Sequence, residues 1–148
     1  MTQNKSNVLK SVFIYFLLIV GVLLLAACGG SDAAAAIDPY EIGDPENGRV
    51  LFENGNDVIK TKCTRCHTLD GTETVYINGE WKSPSMQGIG ARAGDVIPEM
   101  SAEEYIRQSI IDPDAYIAEG YGDHMSAGFQ FGFSEEEIND LVAFLLTQ

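Results

Sequence analysis

The hydrophobic pattern of the chain divides it into two parts near residue 28. Residues 12–27 form an apolar run of 16 residues, and Lys5 and Lys10 precede it. A helix that spans a bilayer usually has about 20 apolar residues, whereas basic residues followed by a shorter apolar run are typical of a targeting segment. After residue 44 the apolar residues come in short groups separated by Gly, Pro and acidic residues. The pattern therefore predicts an N-terminal targeting segment followed by a folded domain.

Three helices are predicted in the folded domain from their start signals and apolar positions. The first runs from Pro45 to about Asn54, with Asp44 as N-cap and Pro at the first helical position. The second begins with the capping box at residues 101–104 and ends at Asp112-Pro113. The third begins with a second capping box at residues 134–137, and its apolar stripe predicts one buried face. The members of that stripe are Ile138, Leu141, Val142, Leu145 and Leu146.

Two shorter elements are predicted between the first and second helices. We expect a helical turn around residues 58–67. Residues 74–77 and 80–82 have the composition of strands, and the Asn78-Gly79 pair between them is typical of a two-residue hairpin turn. The folded domain is therefore expected to be mostly helical, with one short β-hairpin.

The strongest chemical signal is the motif Cys63-Thr64-Arg65-Cys66-His67, which has the C-x-x-C-H spacing of covalent haem attachment. Two thiols at this spacing can each add to one vinyl group of a porphyrin, and the next residue offers an imidazole nitrogen to the iron. A redox dithiol needs no adjacent His and usually follows a strand in a βαβ unit. A zinc site needs further Cys or His ligands nearby, and the only other His is His124. Since the motif occurs once, the sequence predicts one covalent haem c.

The N-terminal region predicts lipid attachment outside the cytoplasm. Leu25-Ala26-Ala27-Cys28 has the form of a lipobox, in which small residues precede a Cys that receives lipid and becomes the new N-terminus. We therefore expect a signal peptide at residues 1–27, a flexible tether at 28–43 and a haem-binding domain at 44–148. An uncleaved transmembrane anchor is the alternative. Either arrangement locates the domain at the outer face of the cytoplasmic membrane, and lipid and haem together use all three cysteines.

The charge of the chain indicates which kinds of macromolecule it is expected to bind. The formal net charge is −13 at pH 7, and loss of Lys5 and Lys10 with the signal peptide would take it to −15. Residues 60–92 have five basic and three acidic side chains, whereas residues 93–148 have one basic side chain against 12 acidic ones. Such a chain is not expected to bind nucleic acid. The acidic region is either a solvated face or a surface that steers a basic redox partner.

Over residues 44–148 the chain resembles class I cytochrome c. The resemblance implies an all-α cytochrome c fold around one haem, with the hairpin as an insertion. Gly48 and Phe52 match family positions on the first helix that pack against the last helix, here at Leu141 and Phe144. The likeness to bacterial monohaem domains associated with terminal oxidases, including the haem-bearing extension of some oxidase subunits II, is carried by residues 63–71, 84–94 and 105–148.

The same resemblance implies roles for further residues around the haem. Met125 lies in a Gly-containing loop where the family has its sixth iron ligand, although Ser126 follows it where many relatives have Pro. His124 is the competing ligand, since imidazole also binds haem iron. Pro84 corresponds to the residue whose carbonyl accepts the other N–H of the proximal imidazole. Arg92 corresponds to a cation near a haem propionate.

These expectations describe a membrane-tethered single-electron carrier without a small-molecule substrate. Axial His and Met leave no open iron position, and Met raises the reduction potential. The expected partners are a quinol-oxidising complex and a terminal oxidase or photosynthetic reaction centre. One alternative is a fixed monohaem subunit of a larger quinol-oxidising complex such as alternative complex III. Another is an enzyme or gas sensor with five-coordinate haem, which requires that Met125 does not bind.

Overall fold

The described part of the chain is packed around its last helix. The structure is a computed structural model that describes residues 38–76, 79 and 81–148. The predicted signal peptide, the lipid site Cys28 and the tether up to residue 37 lie outside the described residues. No helix in the described ranges has the length and apolar character needed to cross a membrane.

Five α-helices and one two-stranded sheet are described, and the three longest helices are those predicted from the sequence. The helices are α1 Pro39–Ile42, α2 Pro45–Asn54, α3 Ile89–Arg92, α4 Ala102–Ile111 and α5 Glu135–Leu146. Short 3-10 turns lie at Cys63–Arg65, Ala93–Asp95, Pro113–Ala115 and Phe129–Phe131. The Asp44 side chain caps α2, and both predicted capping boxes are formed at the starts of α4 and α5. Helix α1 lies in the segment predicted as tether and contacts α5.

Helices α2 and α5 pack against each other through the residues that the family resemblance indicated. The rings of Phe52 and Phe144 are 5.4 Å apart between centroids, and Leu141 is buried in the same core. Gly48 lies so close to α5 that a Cβ atom there would overlap the carbonyl oxygen of Asp140. The absence of a side chain at Gly48 therefore allows the two helices to approach closely.

A buried carboxylate joins the start of α2 to α5. The Asp140 side chain is only 5% exposed, although it lies on the otherwise apolar face of the last helix. It accepts hydrogen bonds from the Asp44 backbone N–H at 2.7 Å and from Asn47 Nδ2 at 2.6 Å. These bonds satisfy the buried oxygens, which would otherwise be costly to remove from water.

The predicted helical turn around residues 58–67 is present only as the 3-10 turn Cys63–Arg65. The side-chain oxygen of Asn56 accepts hydrogen bonds from the backbone N–H groups of Val58 and Ile59, which offers these groups an alternative to helical bonding. Asn56 Nδ2 also donates to the Gly132 carbonyl and to Glu137 of α5. This side chain therefore ties the segment before the haem motif to the last helix.

The expected β-hairpin is present with the register that an Asn78-Gly79 turn predicts. Strand β1, Thr74–Val75, pairs antiparallel with β2, Lys82–Ser83, and the partners are Thr74 with Ser83 and Val75 with Lys82. Beyond the two strands, the Tyr76 N–H donates to the Trp81 carbonyl at 2.9 Å. The ladder is short, and residues 77, 78 and 80 lie outside the described ones.

The Gly48→Ala variant tests the contact between α2 and α5. Alanine favours the helical state by about 1 kcal/mol over glycine, but its Cβ would also lie 2.8 Å from Phe144 Cβ. Overpacking of this kind typically costs about 1–3 kcal/mol, and here the obstacle includes rigid backbone. We therefore expect the free energy of unfolding to fall by about 2 kcal/mol or more, measured by urea denaturation of the haem-loaded protein.

Gly94→Ala is the matched control for that variant. A Cβ atom at Gly94 would meet its nearest neighbours at 3.5 and 3.9 Å, which are ordinary contact distances. Its stability is expected to stay within about 0.5 kcal/mol of the wild type. Equal stabilities for the two variants would contradict the close approach of α2 and α5 at Gly48.

Candidate haem site

A cavity of about 960 Å³ lies between the haem motif, the hairpin and the loop that contains Met125. Its size is at the upper end of the roughly 300–1,000 Å³ typical of ligand and cofactor pockets. Buried side chains from the helical core form an apolar wall. They include Phe52, Ile89, Ile106, Leu141 and Leu145.

The haem motif presents its two thiols and its imidazole to this cavity. The Cys63 carbonyl accepts hydrogen bonds from the N–H groups of Cys66 at 3.0 Å and His67 at 2.9 Å, which winds the motif into a tight turn. Cys63 and Cys66 are half-buried free thiols, and both line the cavity with His67. Burial raises the pKa of the Cys63 thiol to about 11, so this group stays protonated at neutral pH.

The imidazole of His67 is held in one tautomer by the backbone of Pro84. His67 Nδ1 lies 2.9 Å from the Pro84 carbonyl oxygen, and because a carbonyl only accepts, Nδ1 carries the proton. Burial lowers the pKa of His67, although the bond to Pro84 opposes this effect. The ring is therefore neutral at pH 7, and Nε2 keeps the lone pair that a metal ligand needs.

The turn that carries Pro84 is braced by Ser85 and Arg92. Ser85 Oγ accepts the Gly71 N–H at 3.0 Å and donates to the Thr68 carbonyl at 3.2 Å. The Arg92 guanidinium donates to the carbonyls of Ser85, at 2.7 Å, and of Gln87. Arg92 also lines the cavity, and its role toward a propionate stays a prediction. In the structure, two of its N–H groups hold the turn that orients His67.

Met125 lies on another segment of the cavity wall. It is half-buried in the loop between the 3-10 turns Pro113–Ala115 and Phe129–Phe131. Its neighbour His124 is exposed but also lines the cavity. The fold therefore brings the cysteines, His67, Pro84, Arg92 and Met125, which are spread over 63 positions of the chain, to one cavity.

The comparison with protein families agrees with this arrangement. A family model described as Cytochrome c matches residues 52–148. The chain belongs to the cytochrome c family. As a cytochrome c it is an electron-transfer protein that binds haem c covalently, and the all-α fold with a short hairpin is confirmed. Comparisons with curated proteins and with solved structures gave no significant match.

The residues of this cytochrome c fit a covalent haem by their chemistry. Two free thiols, a neutral imidazole and a thioether line one cavity, and part of its wall is formed by buried apolar side chains. A porphyrin needs such an apolar wall for its faces and nitrogen or sulfur ligands for its iron.

The charged residues that line the cavity of this cytochrome c are unevenly distributed around it. Its basic side chains come from the haem motif, the residue before it, β2 and α3, and they are Lys62, Arg65, Lys82 and Arg92. The acidic Glu73 also lines the cavity there and pairs with Lys82. Asp114 and Asp123 lie on the Met125 side, and their mutual hydrogen bond raises the pKa of Asp114.

Sequence reasoning missed the contacts that join the hairpin to the Met125 loop. The Tyr121 hydroxyl donates to the Glu73 carboxylate, which raises the pKa of Tyr121 and lowers that of Glu73. Glu73 also pairs with Lys82 at 3.4 Å. Glu73 and Tyr121 are 48 positions apart, and no local motif connects them.

Proposed function

We propose that this cytochrome c is a single-electron carrier with His67 and Met125 as axial iron ligands and thioether bonds at Cys63 and Cys66. The observation that supports this proposal is the shared cavity. The motif with its His67–Pro84 hydrogen bond and the half-buried Met125 are far apart in sequence, yet they line the same space.

Each residue would contribute a distinct physical effect. When bound, the haem supplies an iron that exchanges one electron between the ferric and ferrous states. The Pro84 carbonyl fixes the ring plane of His67 and increases the basicity of its free nitrogen. The Met125 thioether favours ferrous iron and so raises the reduction potential. With His67 and Met125 both bound, no iron position is left for a substrate.

We further propose that lipid on Cys28 tethers this domain to the outer face of the cytoplasmic membrane. The support comes from the sequence alone, in the basic start, the apolar run and the small residues before Cys28. An anchored carrier of high potential fits transfer from a quinol-oxidising complex to a terminal oxidase or a photosynthetic reaction centre.

Cys28→Ser tests the anchor. We expect the wild-type N-terminus to be a diacylated or triacylated Cys28 by mass spectrometry of the membrane fraction. The Cys28→Ser variant should instead accumulate as a longer, unlipidated precursor, because the lipoprotein route modifies the thiol. Ser31→Ala, three positions beyond, is the control and should be processed like the wild type. An intact Met1 in the wild type would favour the uncleaved anchor.

The carrier role is tested in native membranes. After mild detergent extraction, a native gel stained for haem should show the protein running alone, because a carrier binds its partners transiently. Co-migration with multihaem proteins would contradict the free carrier and indicate a fixed subunit of a quinol-oxidising complex. Mass spectrometry of the stained band identifies the partners in that case.

A further inference from the structure

The hairpin joins the haem motif to the Met125 loop through three aromatic rings. The Tyr76 hydroxyl donates to the Arg65 carbonyl, inside the motif, at 2.6 Å. The rings of Tyr76 and Trp81 are stacked, with centroids 4.8 Å apart and planes 23° apart. The Trp81 ring then meets the ring of His124, with centroids 4.5 Å apart and planes 42° apart. This series of contacts therefore reaches His124, the residue directly before Met125.

His124 also packs against Gly122. A Cβ atom at Gly122 would lie 2.6 Å from His124 Nε2 and 2.9 Å from Cδ2, so the imidazole packs directly on this glycine. The His124 backbone N–H donates to the Gly122 carbonyl at 3.0 Å, which keeps the loop tight at this point. The imidazole is thus in contact with both the Trp81 ring and the Gly122 backbone.

These two contacts matter because His124 and Met125 are adjacent and both line the cavity. Imidazole is a good ligand for iron, so ligand chemistry alone does not exclude His124. The choice between the two then depends on which side chain is free to turn toward the iron. His124 has an aromatic contact on the hairpin, whereas Met125 is half-buried and lines the cavity.

We propose that Trp81 and Gly122 are positioning residues that hold the His124 imidazole against the hairpin, so that Met125 is the side chain available to the iron. This inference rests on the proposed ligation by His67 and Met125. It gives the hairpin a role in setting the reduction potential, because release of His124 would replace a thioether by an imidazole.

The experiment compares the haem-loaded variants Trp81→Ala and Gly122→Ala with the wild type. Gly122 does not have a positive φ, so alanine there displaces the His124 ring without straining the backbone. Both variants should lose most of the weak far-red band of Met-ligated ferric haem and show a lower reduction potential. Neither should bind CO in the ferrous state, because the released imidazole fills the sixth position.

The decisive variant is the double substitution Trp81→Ala with His124→Ala. If His124 is the competitor, its removal restores the far-red band and the potential to wild-type values even though Trp81 is absent. A merely structural role of Trp81 predicts no such rescue. Trp81→Phe, which keeps a ring, should resemble the wild type. Val75→Ala is the control on the same hairpin, since Val75 is 57% exposed.

Each contrary outcome has a distinct meaning. A full far-red band in both Trp81→Ala and Gly122→Ala would overturn the inference but leave the proposed function intact. Loss of the band without rescue in the double variant would also overturn it, since the hairpin would then order the loop without selecting a ligand. Absence of the band from the wild type would contradict the proposed function itself.

Discussion

Replacing Cys63 and Cys66 together by Ala is expected to abolish covalent haem and to leave little stable fold. An apolar cavity that stays empty lowers the free energy of unfolding by roughly 2.4 kcal/mol for each 100 Å³. The free energy of unfolding of a whole domain is only about 5–15 kcal/mol. The candidate site has a volume of about 960 Å³, and core residues such as Phe52 and Leu141 form part of its wall. Without the porphyrin the chain must either collapse or admit water, and both remove native packing.

The measurements for this double variant separate attachment from folding. Acid–acetone extraction should remove all haem from the variant and none from the wild type, as judged by haem staining of a denaturing gel. Circular dichroism should show a large loss of helix at 25 °C. Thr64→Ala, an exposed position between the two cysteines, should keep both haem and fold. Haem that stays on the Cys63→Ala, Cys66→Ala polypeptide after extraction would refute the attachment site.

The three longest helices and the hairpin were predictable because their signals are local, whereas the short helices α1 and α3 were not predicted. Asp44 before Pro45 and the two capping boxes determine where helices begin, whatever the rest of the chain does. The Asn78-Gly79 pair predicts the strand register in the same way. The helical turn expected around residues 58–67 is present only as the 3-10 turn Cys63–Arg65. At the start of this range, the Asn56 side chain accepts hydrogen bonds from the Val58 and Ile59 N–H groups instead.

Contacts between distant residues were not predictable from local pattern. An acidic residue on an apolar helix face gives no sign that it is buried, and Asp140 is satisfied by groups more than 90 positions away. The residues of the C-x-x-C-H motif could be named from the sequence because they are contiguous, and Met125 could be named from the family resemblance. The Trp81–His124 contact joins the hairpin to the Met125 loop, and these two segments meet only because of the whole fold. His124 is exposed, but its ring is in contact with the Trp81 ring.

The Met125→Ala variant should change the electronic properties of the haem more than any other single substitution outside the motif. Loss of the thioether removes the far-red band of the ferric protein and lowers the reduction potential. We expect the sixth position to open, so that the ferrous variant binds CO while the wild type does not. Met86→Ala is the control, because Met86 also lines the cavity but is half-buried against the hydrophobic core. That variant should keep the band and exclude CO.

His124→Ala distinguishes the two adjacent candidates directly. The His124 ring rests on Trp81 and Gly122, so its removal should leave the band, the potential and the exclusion of CO nearly unchanged. If His124→Ala instead loses the sixth ligand while Met125→Ala keeps it, the haem has two His ligands. Imidazole stabilises ferrous iron less than a thioether does, so the potential would then be too low for the proposed transfer to a high-potential acceptor. The ligand at this one loop position therefore decides which partners the carrier is able to reduce.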